Sequence, residues 1–235
     1  ISMQSHLDEL AGAVDALLAD GAMDPARLFI LTSSEGAIHA LSYQVRTEEW
    51  RRFVGLVLTG APGRSIGRVA RSQVLEQVRD LPNGRVLVEQ YDAAIAAFEA
   101  GEPMTLDPSL PEGMRVLLLS LETPFNLPFA RELWSADPSS LIAKVHEPVL
   151  VVIGKKDIQV DWQVDGGALE QAAAANGNVE FAYPEEADHV LKHEDRPRED
   201  LAAAEVVAHY NSETRTLDAA ALTVIASWLR DHAGL

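Results

Sequence analysis

Two kinds of hydrophobic spacing alternate along the chain. Short runs of consecutive large apolar residues, typical of strands buried on both faces of a parallel sheet, occur at 28–31, 53–60, 149–153 and 179–183. Elsewhere apolar residues recur at intervals of three and four, which predicts covering helices over 6–19, 35–46, 169–175 and 216–232. The alternation predicts an α/β fold in which helices flank a parallel sheet.

The stretch from 61 to 146 departs from this alternation. Helical spacing predicts helices over 65–79 and 86–100, and prolines then divide the remainder into short helices and loops. We therefore expect a helical insertion between two core strands.

Composition narrows the partners and the chemistry. The 235 residues carry a formal net charge of −17, which disfavours nucleic acid and anionic membrane surfaces as partners. The absence of cysteine excludes disulfides, thiol nucleophiles and thiolate metal sites. No stretch approaches the roughly 18 apolar residues of a membrane span, so we expect a soluble chain, cytoplasmic by default.

A candidate nucleophile lies between the first predicted strand and its helix, in Thr32-Ser33-Ser34-Glu35-Gly36. A serine at a sharp strand-to-helix turn presents its hydroxyl above the sheet, beside the N–H groups that open the helix. Gly36 fits the G-x-S-x-G pattern of such turns, whereas Thr32 replaces its first glycine and should crowd the corner. A serine that merely caps an ordinary helix is the alternative.

Three segments in order resemble the α/β-hydrolase superfamily. Ser34-Glu35-Gly36 resembles its nucleophile turn, the strand that leads to Asp157 resembles the one ending in its acid, and Ala187-Asp188-His189 resembles the loop carrying its base. The resemblance implies a serine hydrolase that cleaves an ester-like bond of a small acyl substrate. In this hypothesis Ser34 is the nucleophile, Asp157 the acid, His189 the base and the Glu35 N–H an oxyanion donor.

The resemblance also implies a division of the chain. Residues 1–61 would be the nucleophile-bearing part of an α/β-hydrolase-like core, 62–147 a helical lid and 148–235 the part carrying acid and base. The lid would line a substrate pocket with Phe125, Leu127, Phe129 and Trp134. Packing within the lid's own core is the alternative role for these side chains.

The start of the chain differs from the superfamily pattern, in which further strands precede the nucleophile strand. We expect a processed, truncated or split chain in which the N-terminal part of the fold is missing. An additional polypeptide or the missing segment would then complete the sheet and supply the second oxyanion donor. A homo-oligomer is a further way of covering such an edge.

Other interpretations of the same residues stay open. His193, four residues after His189, competes as base, and two histidines at that spacing can chelate a metal, but no H-E-x-x-H sequence or third ligand accompanies them. We therefore expect neither metal nor cofactor. A non-catalytic subunit with the same fold, an acyltransferase and a peptidase are the functional alternatives.

Overall fold

The computed structural model describes residues 1–21 and 23–234. The chain divides into two compact units. Unit 1 comprises Ile1–His6 and Ser65–Ala136, and unit 2 comprises Leu7–Arg64 and Asp137–Leu235.

Helices make up most of the regular structure in both units. In chain order they are α1 (Met3–Ala19), α2 (Gly36–Arg46), α3 (Ile66–Val78), α4 (Gly84–Ala100), α5 (Glu112–Leu121), α6 (Leu127–Ser135), α7 (Pro138–Ile142), α8 (Gly167–Ala173), α9 (Ala203–Ala208) and α10 (Ala219–Ala233). Within the described residues, none of them has the length and hydrophobicity needed to cross a lipid bilayer.

Unit 2 contains a parallel four-stranded sheet in the order β1-β2-β3-β4. Its strands are β1 (Phe29–Ser33), β2 (Gly55–Thr59), β3 (Val149–Val152) and β4 (Val179–Ala182). Every residue of β2 and β3 is buried, which is what uninterrupted apolar runs predict for central strands covered on both faces. The α/β fold class and the four strands predicted from the sequence are confirmed. Burial on both faces, predicted for all four, is wrong for β1 and β4, which lie at the two ends of the described sheet and are only partly buried.

Alternate residues of the central strands face two separate cores. Leu56 and Leu58 lie in the core that contains residues of α2, α7 and α8, whereas Val57 lies in the core that contains residues of α10. Successive side chains of a strand point to opposite faces, so one apolar run supplies both cores. The sheet of unit 2 is therefore covered by helices on both sides.

The last helix, α10, begins later in the chain than the hydrophobic spacing predicts. The spacing predicts a helix from residue 216 with Leu217 and Leu222 facing inward, but both are about half exposed. The Asp218 carboxylate accepts a hydrogen bond from the Ala221 N–H at 2.9 Å and so caps α10, which leaves Leu217 outside the helix. The same spacing also predicts Ala221, Ile225 and Trp228 on the inward face, and these three residues do lie in the core.

Unit 1 has a core of its own. Buried side chains of α3, α4, α5 and α6 pack together in it, among them Val74, Val78, Leu87, Tyr91, Phe98, Leu118 and Trp134. The indole of Trp134 meets the Phe98 ring edge-on, with ring centroids 5.9 Å apart. The helices expected around 65–79 and 86–100 are confirmed. The role of a lid, assigned above to residues 62–147, stays a prediction.

Candidate active site

Ser34 follows the last residue of β1 at a strained turn. Its φ angle is 54°, in the left-handed region, where a residue with a side chain is less stable by about 1–2 kcal/mol. The Ser34 N–H donates to the Thr59 carbonyl at 2.8 Å, which fixes the turn to the end of β2. Strain held in place by surrounding structure is characteristic of functional turns, including the strand-to-helix turn of a nucleophilic serine.

The first turn of α2 begins directly after this serine. A Cβ on Gly36 would lie 3.4 Å from the Thr32 Cβ, which is an ordinary van der Waals distance. Thr32 therefore does not crowd the start of the helix at Gly36, although the sequence predicts crowding at this corner. Within the described chain, no hydrogen-bond partner is found for the N–H of Glu35, whose side chain contacts His39. A free N–H at a helix N-terminus can stabilise an anion.

Asp157 and His189 form a buried pair. The His189 Nδ1 lies 2.8 Å from the Asp157 Oδ2, and both side chains are excluded from solvent. The other carboxylate oxygen accepts the N–H groups of Gln159 and Val160 at 2.8 and 2.9 Å. Burial alone would lower the pKa of His189, but the hydrogen bond and charge of Asp157, with the charge of Asp188, outweigh it and raise this pKa.

The loops that carry the acid and the base touch each other directly. The Lys156 N–H donates to the Ala187 carbonyl at 3.1 Å. A Cβ on Gly154 would lie 1.9 Å from that same carbonyl oxygen, so only a glycine fits there. This contact brings together two segments that are far apart in the sequence and sets the distance between Asp157 and His189.

Gly60, the first residue after β2, supports the imidazole. A Cβ on Gly60 would lie 3.1 Å from both Cε1 and Nδ1 of His189 and 3.2 Å from its carbonyl oxygen. The Ser34 N–H donates a hydrogen bond to Thr59, and the His189 ring lies against Gly60, so the serine and the imidazole both contact the Thr59–Gly60 segment. In the described part of the chain no hydrogen bond joins the Ser34 hydroxyl to His189.

Sequence reasoning missed several residues around this pair. It identifies Gly60 only as the end of a strand, although a place at the carboxyl end of a buried strand is a usable signal. The Tyr210 ring lies 6.2 Å from the His189 ring, and its hydroxyl accepts a hydrogen bond from the Gln159 side chain at 2.7 Å. No local pattern in the sequence connects Tyr210 with this region.

The proposed pocket residues lie in unit 1. Phe129 and Trp134 are buried, Leu127 packs against the core of that unit, and Phe125 is 74% exposed. Phe129 contacts the His6 ring edge-on at 4.6 Å between centroids. Three of the four, Leu127, Phe129 and Trp134, therefore have packing partners within unit 1, and a role in substrate binding stays a prediction for all of them.

His193 lies apart from the Asp157 pair in its bonding. Its Nδ1 is 3.1 Å from Asp218 and its Nε2 is 2.8 Å from Asp195, and the hydrogen bonds to these carboxylates raise the pKa of the imidazole. Both ring nitrogens of His193 thus contact carboxylates other than Asp157, which is the partner of His189. Among residues 1–21 and 23–234 no group of acidic and histidine side chains is arranged to hold a metal ion.

The sequence matches no family model and no curated protein. Solved structures are similar to it, among them a proline iminopeptidase from Mycobacterium smegmatis, at 15% identity and a TM-score of 0.50, covering 99% of this chain and 72% of that one. A thermophilic esterase from Thermogutta terrifontis is 19% identical, with 99% and 74% of the chains covered and a TM-score of 0.49. A Pyrococcus furiosus esterase is 16% identical, with 78% and 53% covered and a TM-score of 0.46. The chain thus spans about half to three quarters of the length of these structures. Its fold is similar to that of the proline iminopeptidase.

Proposed function

We propose that this chain is a serine hydrolase that cleaves an ester-like bond of a small acyl substrate. Ser34 is the nucleophile, His189 the general base and Asp157 the acid that orients it. The observation that carries the proposal is the buried Asp157–His189 pair, seated against Gly60 beside the strained turn of Ser34.

The hydrogen bonding of His189 determines which nitrogen can act as base. A buried carboxylate only accepts hydrogen bonds when ionised, so the proton of the neutral imidazole resides on Nδ1, 2.8 Å from Asp157. The lone pair of Nε2 is then available to take the proton of the Ser34 hydroxyl. This is the division of roles that a serine nucleophile requires.

The reaction would proceed in two halves. The Ser34 Oγ attacks the carbonyl carbon, its proton passes to Nε2, and the Glu35 N–H donates to the developing oxyanion. The imidazolium then protonates the departing alcohol, which leaves an acyl group on Ser34, and a water molecule activated by His189 releases the acid. A single oxyanion donor contributes on the order of 100-fold in rate, so the Glu35 N–H is an integral part of the proposal.

Neighbouring serines give a matched test. Ser34→Ala should abolish turnover of a short p-nitrophenyl ester and labelling by a fluorophosphonate, whereas Ser33→Ala, at the adjoining exposed position of β1, should retain both. Turnover by Ser34→Ala at the wild-type rate would remove Ser34 from the mechanism.

The functional alternatives give different results in the same assays. A non-catalytic subunit, favoured by the lack of a hydrogen bond between the Ser34 hydroxyl and His189 within the described residues, would not be labelled by the fluorophosphonate. An acyltransferase would be labelled but would pass the acyl group to an added alcohol in preference to water, and a peptidase would hydrolyse anilides as well as esters. We also propose, from chain order alone, that the insertion between β2 and β3 acts as a lid.

A further inference from the structure

A segment between α9 and α10 runs along the loop that carries His189. We call residues 187–194 the base loop and residues 209–217, between α9 and α10, the strap. Lys192 forms an antiparallel bridge with Leu217, and the His193 N–H donates to the Thr216 carbonyl at 3.0 Å. The strap therefore borders the base loop along its backbone, and it also carries Tyr210 to the His189 ring.

The base loop contains a buried carboxylate for which the proposed mechanism has no use. Asp188, the neighbour of His189, is completely inaccessible to solvent. Its Oδ1 accepts the N–H groups of Val190 and Lys192 at 3.0 and 2.8 Å, which closes a turn in which Leu191 has a φ angle of 59°. The Asp188 side chain thus shapes the backbone immediately after the imidazole.

Arg215 of the strap supplies the charge opposite Asp188. Its Nη1 lies 2.7 Å from the Asp188 Oδ2, as a close charge pair, and its Nη2 donates to the His193 carbonyl at 3.0 Å. Glu194 also approaches Arg215, at 3.6 Å, but Arg196 binds that carboxylate with two nitrogens and lowers the pKa of Glu194 to about 2. Arg215 is therefore the cation that compensates Asp188, and a buried carboxylate without one is costly.

We propose that Arg215 is a positioning residue for the general base: through Asp188 it holds the base loop in place and balances the negative charge beside the imidazole of His189. The inference rests on the proposed function for the role of His189. The contacts that carry it, however, do not involve Ser34.

The charges around His189 fix the sign of the expected effect. Asp157 from the loop after β3 and Asp188 from the base loop both raise the pKa of His189, and the neutral Tyr210 ring faces it from the strap. The Arg198 side chain donates a hydrogen bond to the backbone carbonyl of Asp157, and the positive charge of Arg215 offsets the negative charge of Asp188. Removing the Arg215 charge should raise the pKa of His189, and removing the Asp188 charge should lower it.

The test uses the full chain and four variants: Arg215→Met, Arg215→Lys, Asp188→Asn and the double variant Asp188→Asn/Arg215→Met. NMR titration of the His189 imidazole, assigned with His189→Gln, measures its pKa without requiring turnover. Asparagine keeps an oxygen for the two N–H groups of the turn, so Asp188→Asn removes charge at little cost in shape. Arg215→Met should raise the pKa, Arg215→Lys should restore most of the wild-type value, and the double variant should lie near wild type.

Ester hydrolysis adds a second readout. In Arg215→Met the acid limb of kcat/KM should move to higher pH, so that the loss near pH 6 exceeds the loss near pH 8 by about threefold or more. A folded Arg215→Met with the wild-type titration of His189 would overturn the proposal. If that variant does not fold, an unchanged titration in Asp188→Asn overturns it instead. Loss of the proposed function appears separately, as wild-type turnover by Ser34→Ala, while the imidazole titration still tests Arg215.

Discussion

Gly60 is the position where one methyl group should separate catalysis from stability most clearly. A Cβ there would lie 3.1 Å from two atoms of the His189 ring and 3.2 Å from its carbonyl oxygen. The residue also has a φ angle of 53°, which a side chain disfavours. Gly60→Ala therefore carries two penalties, one on the backbone and one on the imidazole.

The two penalties have different sizes and different readouts. Left-handed backbone at an alanine costs about 1–2 kcal/mol of stability. Carbon atoms in good contact lie about 3.5–4.0 Å apart, so the imidazole has to move by roughly half an ångström or more to admit the methyl group. Such a shift lengthens the 2.8 Å contact between Nδ1 and Asp157. Because a misplacement of about 1 Å can cost 100-fold in rate, we expect kcat/KM to fall by about 10- to 100-fold.

Gly101→Ala is the matched control. Gly101 ends α4 with a φ angle of 80°, and a Cβ there would meet only the Arg131 side chain at an ordinary 3.7 Å. It should show the same backbone penalty in urea unfolding with wild-type hydrolysis of a p-nitrophenyl ester. Both variants are assayed at a temperature where each is fully folded.

The comparison can refute the reasoning directly. If Gly60→Ala and Gly101→Ala lose the same stability and neither loses kcat/KM, the imidazole does not depend on the missing side chain at residue 60. If Gly60→Ala is less active while the His189 titration is unchanged, the ring has kept its bond to Asp157 and the activity loss has another cause.

Three further predictions concern charge. Arg64→Met should lower the free energy of unfolding by about 2–3 kcal/mol, because it leaves the fully buried Asp165 carboxylate without its cation, although three backbone N–H groups still donate to that carboxylate. The control is the exposed pair Arg71–Asp92, which has the same two-nitrogen geometry. Arg71→Met should lower the free energy of unfolding by less than about 1 kcal/mol. Equal urea midpoints for the two variants would contradict the assignment to burial. The acid limb of kcat/KM should lie above the ordinary histidine pKa of 6.5, because a base must be neutral and the pKa of His189 is raised. The stability that the Asp157–His189 pair contributes should be fully present below the pKa of His189 in the unfolded chain, and it should be lost as pH rises through the pKa of His189 in the folded chain. An acid limb of kcat/KM at or below pH 6.5 would contradict the raised pKa of His189.

The sequence predicts the parts of this molecule that depend on local pattern. The apolar runs before Ser34 and Asp157 are confirmed as the strands β1 and β3, but burial on both faces is confirmed only for β3. The strand β1 lies at an end of the described sheet and is only partly buried. The spacing of α10 is less informative, since the cap at Asp218, and not the periodicity, decides where that helix begins. The turn of Ser34 is recognisable from its residue types, although no sequence pattern reveals that its φ angle is positive.

The contacts that hold the imidazole could not be predicted in this way, because each joins segments without a shared local pattern. Gly60 precedes His189 by more than a hundred positions in the sequence, and the strap follows a stretch of charged residues that has no clear periodicity. The glycines show this most plainly. Gly154 resembles any glycine after a strand until the structure places the Ala187 carbonyl where its Cβ would be.

Buried charge explains why the base loop depends on its neighbours. Four carboxylates in this region are buried, and each has a cationic or ionisable partner: Asp157 with His189, Asp188 with Arg215, Glu194 with Arg196, and Asp218 with His193. Removing one partner leaves a desolvated charge, which costs more than the hydrogen bond itself. Because the strap supplies Arg215, the partner of the buried Asp188, we expect the base loop and the segment before α10 to become ordered together.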